Sequence, residues 1–378
     1  MTVKIFRSTD YGAPANTNAI GSVIGILDAC LVNGYGAQTP TSVTRSGTTV
    51  TVTVPIAHSL KPDTWMRISG ANQTEYNGDF FITPLSATSY SYQIATTPAS
   101  PATGTIVSKV APVDWTKPFT SGSNIAAYKQ GPGSNGMYLK VDDSALGSAS
   151  VFPKIYGYEL MTGDINTTSG AFPTASQITF QGAANGFHKS TTATAQPWII
   201  VASEKCFYAY MSINESYSDR DLHFFGDFPS KKPSDAFNTC LWSDLSNSYA
   251  SAGQGSITTN FGVSHTGHYI ARNHTQLGGS IPFCKFSPSG QTALGLSGGI
   301  PAYPSAIDNA LHMAPVVVAE SAGQRGVFPG LWNPLHNKPF IHLDVINGTG
   351  DFASKRFICI SPGTSGAWQC MLEISNTW

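Results

Sequence analysis

"TTVTVTVP", residues 48–55, sets Val50, Val52 and Val54 against Thr49, Thr51 and Thr53 in strict alternation. Successive side chains on a strand point to opposite faces, so a period of two predicts a half-buried strand. Reading outward, "TWMRISG" (64–70) and "GDFFITPL" (78–85) continue the pattern, and "SYSYQIA" (89–95) places Tyr90, Tyr92 and Ile94 on one face. Between these runs stand two turn signals, Lys61-Pro62-Asp63 and Tyr76-Asn77-Gly78-Asp79. Proline presets its backbone angle, and Asn-Gly suits a hairpin turn. Residues 41–110 thus read as a compact all-β module, a small immunoglobulin-like sandwich or barrel.

Upstream the character changes. In "SVIGILDACLVNGYG" (22–36), together with Ile20, the apolar residues Ile20, Val23, Ile24, Leu27 and Leu31 follow the spacing of an amphipathic helix. Asn16, Thr17 or Asn18 is placed to cap its start, and Gly34 to end it in the left-handed conformation. Gly21, Gly25 and Ala29 fall four apart on an adjoining face, where missing side chains admit another backbone. Interior glycine costs about 1 kcal/mol relative to alanine, which packing must offset. That packing is either against the protein's own sheet or against another subunit; both explain a small-residue face.

Downstream of Trp115 come short aromatic strands, among them "NGMYLKV", "PWIIVAS", "CFYAYMSI", "LHFFGDF" and "RFICIS", separated by Gly-, Ser-, Pro- and Asn-rich loops. The fold class expected is mainly β. An irregular β-sandwich main domain spans 111–378, an arm and helix at 1–40 belong to it, and the 41–110 module is inserted between them. No second helix of comparable quality and no fixed-period repeat stands out.

Charged residues make up only 11% of the 378, against roughly 25% in an ordinary soluble domain. The polar surface is therefore mostly uncharged, which suits burial against neighbours in an assembly. The formal net charge of −1 and the lack of any Lys/Arg run argue against nucleic acid as a partner. The first ten residues lack the apolar core of a secretory signal, and no window has the roughly 18 apolar residues of a membrane span, so no membrane partner is expected. Six scattered cysteines without zinc spacing read as buried thiols, with Cys359 and Cys370 the pair able to bridge two adjacent strands.

Each motif that suggests chemistry has a simpler reading. "GLSGG" (295–299) matches a nucleophile elbow around Ser297, with Asp308 and His312 or Asp344 and His342 as partners, but Pro301 and Pro304 oppose the helix that must follow. His265, His268 and His274 lack an acidic or thiol companion and read as loop histidines, not metal ligands. Asp142-Asp143 and Asp219/Asp221 read as carboxylates solvated in turns. Trp198, Trp242, Trp332 and Trp368 read as core, although aromatics such as Trp242 and Trp332 are also the groups that would line a glycan groove. Trp378 stands apart as a terminal residue, which another subunit would bury. Neither a cofactor nor a metal is expected.

"KIFRSTDYGAPANTNAIGSVIGILDACLVNGYG" (4–36), "WTKPFTSGSNIAAYKQGPGSNGMYLKVDD" (115–143), "GYELMTGDINTTSGAFP" (157–173), "HFFGDFPSKKPSDAFNT" (223–239) and "RGVFPGLWNPLHNKPF" (325–340) together resemble a family of virion structural proteins of tailed bacteriophages. "AHSLKPDTWMRISGANQTEYNGDFFI" (57–82) is similar to the immunoglobulin-like modules that decorate many phage proteins. The resemblance implies a non-enzymatic component of the particle, such as head decoration, neck or collar, or tail, assembled in the bacterial host cytoplasm. Its partners would be copies of itself and other virion proteins, with Gly21, Gly25, Leu27, Ala29 and Trp378 as interface candidates. The alternative it leaves open is a receptor- or glycan-binding protein at the tail tip, whose partner is a host surface glycan. On either reading the inserted module faces outward.

Overall fold

The computed structural model describes residues 2–147, 152–178, 186–213, 222–243, 267–287, 302–336, 340–361, 369–375 and 378. Strands occupy 45% of the chain and helical turns 6%, so the fold is mainly β, as the alternating patterns predict.

A seven-stranded antiparallel sheet forms the centre. Its order is Lys4–Arg7, Trp198–Ala202, Cys206–Met211, Leu222–Asp227, Thr239–Trp242, His268–Ile270 and Ile281–Pro282. The strand Lys4–Arg7 reaches almost two hundred residues along the chain to pair Phe6 with Ile200. Strands such as "CFYAYM" are buried at every position, because both faces of the sheet are covered. Phe6, Ile200, Phe207, Phe225 and Leu241 pack on one face with the helix and a five-stranded sheet, Thr116–Ser121 to Thr168–Phe172. Ile199, Val201, Tyr208, Phe224 and Trp242 pack on the other, against a six-stranded sheet that holds Val316, Val318, Leu331, Ile358 and Leu372.

Between Tyr35 and Val110 the chain forms two four-stranded sheets. Val50, Val52, Tyr90 and Tyr92 of one sheet and Met66, Ile68 and Ile106 of the other fill a shared core. The first strand of this unit, Tyr35–Gln38, begins ahead of residue 41 and pairs with Gly104–Val110. Asn77-Gly78 does not make a two-residue hairpin turn. Asn77 instead bonds the Ala71 amide and carbonyl through its side chain, at 2.9 and 2.8 Å, and Gly78 opens the next strand. The unit lies against the body: Lys4 Nζ meets Asp79 at 2.5 Å, Arg67 bridges Asp79 and Asp114 at 2.6 Å each, and Arg356 pairs with Asp63.

The predicted helix is shorter than its apolar spacing implies. An α-helix spans Ser22–Leu27 and gives way to a π-helical turn over Asp28–Asn33. The widened turn frees the Cys30 and Leu31 carbonyls to accept the Val113 and Trp115 amides at 3.2 and 2.9 Å, so inter-segment bonds replace helical ones. Gly34 ends the turn with φ 73°, as expected, but with extended ψ of 173°. Its backbone leaves no room for a side chain, since a Cβ would lie 2.3 Å from the Val110 carbonyl oxygen.

The cysteines are as their spacing implies, five of them buried and Cys284 part-exposed. All six thiols are free. Cys359 stands opposite Met371 and Cys370 opposite Ile360, a one-residue offset that puts the two sulfurs on opposite faces of their sheet. Cys359 packs with Phe357 and Met371, Cys370 with the core under the central sheet.

Candidate functional site

The helix start is built by residues far apart in sequence. Gly21, with φ 79°, replaces the expected Asn or Thr cap, and the Asp143 carboxylate accepts the Val23 amide at 2.8 Å. The Gly21 amide in turn donates to the Asp143 carbonyl at 3.0 Å. Asp143 is not a solvated turn residue: it is buried, ion-paired to a wholly buried Lys189, whose Nζ also donates to the Ala145 carbonyl at 3.1 Å. Burial pushes the Asp143 carboxyl up, while Lys189 and the helix amides pull it down. Asn16, one of the expected caps, instead ties the N-terminal arm to the central sheet through the Ser212 carbonyl (2.8 Å) and the Ser190 amide (3.0 Å).

The five interface candidates fall in different settings. Leu27 and Ala29 are buried within the chain's own core. Gly21 lies against Ser123, whose carbonyl oxygen would be 3.2 Å from an added Cβ. Gly25 alone faces open space, with no heavy atom within 4 Å of where its Cβ would stand. Ahead of the helix two segments run together, joined by the Gly147 amide to the Asn18 carbonyl at 2.9 Å. They carry Ile20 and Leu146, which are 52% and 62% exposed. Ile20 therefore lies outside the helix and off its buried stripe. Trp378 packs on its own chain: its Nε1 donates to the Glu373 carbonyl at 2.9 Å and its ring meets Tyr208 edge-on at 5.6 Å.

The catalytic alternatives are placed as follows. Ser297, His265, Asp219, Asp221 and Trp368 lie outside the described residues. Asp308 and His312 do meet, at 3.1 Å, on a half-exposed surface. His342 accepts the Ser361 amide through Nδ1 at 3.0 Å, and the Asp344 carboxylate accepts the Ile341 amide at 3.3 Å. His274 binds Glu320 within a structural network, Glu320–Arg325–Asp235, that joins the central and C-terminal sheets. Among the described residues no group of three or more His, Cys, Asp or Glu is placed to hold a metal. Trp242 is buried and Trp332 packs against Phe352, so both serve packing.

Sequence reading missed a cleft where the module, the central sheet and the C-terminal sheet meet. Its volume is about 380 Å³. Trp198, Tyr210, Leu343 and Val345 form apolar walls, and Arg7, Lys61, Asp63 and Arg356 supply the charge. Arg7 is only 8% exposed, and its Nη1 is buried without a hydrogen-bond partner. Asp10, next to it, accepts the Tyr35 hydroxyl at 2.9 Å. Burial pulls the Arg7 guanidinium down and pushes the Asp10 and Asp63 carboxyls up. These residues come from strands more than 300 positions apart, so no local motif signals them.

The chain matches no protein-family model, and no curated protein matches it.

Proposed function

We propose that this protein is a non-enzymatic structural component of a tailed-bacteriophage particle, acting through contacts with copies of itself and with other virion proteins. The observations that carry this reading are the open space at Gly25 and the exposed apolar side chains of Ile20 and Leu146 on the two segments that meet ahead of the helix. Covering each such large apolar side chain contributes about 1.5–3 kcal/mol. The low charge content and the five colinear sequence blocks support the same reading. So does the use of Asp143 as a helix cap and buried ion-pair partner, which removes it from any pair of free carboxylates.

Separating heads from tails and counting copies of the chain in each tests the proposal. Decoration needs on the order of tens to hundreds of copies and a collar about six or twelve, as closed symmetry requires. Absence from both fractions, or release of sugar from a wall polymer by the pure protein, would reject it.

A further inference from the structure

We propose that the open groove between the module and the edge of the central sheet is a binding site for an uncharged saccharide. Its volume is about 500 Å³, within the roughly 300–1,000 Å³ of small-molecule sites. Trp65 and Asp79 line it from the module and Asp114 from the segment that leaves the module. Lys4 lines it from the edge strand, and Glu204 from the hairpin turn between Trp198–Ala202 and Cys206–Met211.

The groove has an aromatic wall. Trp65 stands across from Phe81 on the neighbouring strand, and the two rings meet edge-on at 5.7 Å, which fixes the indole. Trp65 is half-buried and Phe81 is 37% exposed, so both keep surface open to a ligand. The C–H groups of a pyranose face carry partial positive charge and stack on the negative face of such a ring.

The polar groups are fixed before a ligand arrives. Arg67 donates to both oxygens of Asp79, at 2.6 and 2.9 Å, and to both oxygens of Asp114, at 2.9 and 2.6 Å. Lys4 adds a further donor to Asp79 at 2.5 Å. Each carboxylate oxygen keeps a second lone pair, and Asp114 is 55% exposed, so hydroxyl donors reach it. Glu204, part-exposed, makes no ion pair among the described residues and supplies another open carboxylate. Two open carboxylates beside an aromatic wall suit a polyol, whose hydroxyls donate charge-assisted hydrogen bonds. The unpaired charge lining the groove is that of Glu204, which disfavours an acidic sugar. An organic cation would have to compete with Lys4 and Arg67 for Asp79 and Asp114. The groove shares no residue with the helix start, so saccharide binding is independent of the subunit contacts inferred there.

Calorimetric titration of the full chain with cellobiose, lactose and N,N′-diacetylchitobiose tests this, with sialyllactose and glucuronic acid as acidic sugars and choline as a cation. At least one neutral disaccharide is expected to saturate one site in the millimolar range. The acidic sugars and choline should each bind at least about tenfold more weakly than it does, or about 1.4 kcal/mol. Trp65→Ala should weaken the neutral sugar by a similar factor. Should that variant fail to fold, Glu204→Gln carries the test. It keeps the shape of a side chain that forms no ion pair, and should weaken binding about tenfold with the circular dichroism unchanged, as loss of a charge-assisted hydrogen bond requires. No saturable binding of any of the three disaccharides up to about 50 mM, equal binding of an acidic sugar or choline, or a folded variant that binds as well as the parent would overturn the proposal.

Discussion

Lys189 and Asp143 form a wholly buried ion pair beneath the first turn of the N-terminal helix, and the same carboxylate accepts the Val23 amide at 2.8 Å. One acidic side chain thus fastens the helix, the five-stranded sheet that ends at its back and the segment leading into the central sheet.

Removing only one partner strands a charge in the core. Lys189→Met is expected to destabilise the fold by about 3–5 kcal/mol in urea unfolding. Adding Asp143→Asn should recover most of that loss, because the neutral amide still accepts the Val23 hydrogen bond while leaving no buried charge. Equal losses for the single and double variants would contradict the assignment.

His223 predicts the pH dependence. It is wholly buried, and its Nε2 accepts the His188 amide at 3.1 Å, which requires the neutral ring. Burial, with His188 nearby, holds it well below the ordinary histidine range. The unfolded chain therefore takes up this proton first, near pH 6.5, so the contribution is complete above that pH and is lost as pH falls. Stability should drop by about 1.4 kcal/mol per unit below pH 6.5. His223→Gln, which keeps an acceptor, should flatten the slope between pH 6.5 and 5.

Gly330 and Trp378 fit together as backbone and ring. Gly330 has φ 64°, and a Cβ there would fall 2.1 Å from the Trp378 Nε1. Gly330→Ala is expected to cost about 1–3 kcal/mol and to shift tryptophan emission to the red as the ring is displaced. In a Trp378→Ala background the cost should shrink to the part owed to backbone strain.

The period-two stretches were the most legible part of the chain. Val50, Val52, Tyr90 and Tyr92 are buried as their alternation implies, because a strand's own geometry decides which face a residue takes. The helix was legible in place but not in length. Its second half is a π-helical turn whose Cys30 and Leu31 carbonyls accept the Val113 and Trp115 amides, far along the chain, and no local spacing reports those partners. Asp143 was misread for the same reason. Beside Asp142 it looks like a turn carboxylate, and only the arrival of Lys189 and the helix amides makes it a core residue. The cleft around Arg7 was wholly invisible, since it exists only where three sheets converge.

Gly25 separates folding from assembly. With open space at its Cβ and an ordinary helical backbone, Gly25→Ala should raise the stability of the isolated chain by about 0.5–1 kcal/mol, as helix propensity dictates. A loss of stability would mean that the face is packed within the chain.

The most direct test is the number of chains carried by particles assembled with the parent protein or with Gly25→Leu, counted by quantitative mass spectrometry. The parent should appear at a fixed multiple set by particle symmetry, while Gly25→Leu stays soluble, folded and excluded. Particles that lack the parent chain, or that take up Gly25→Leu equally well, would contradict a subunit contact at the helix start.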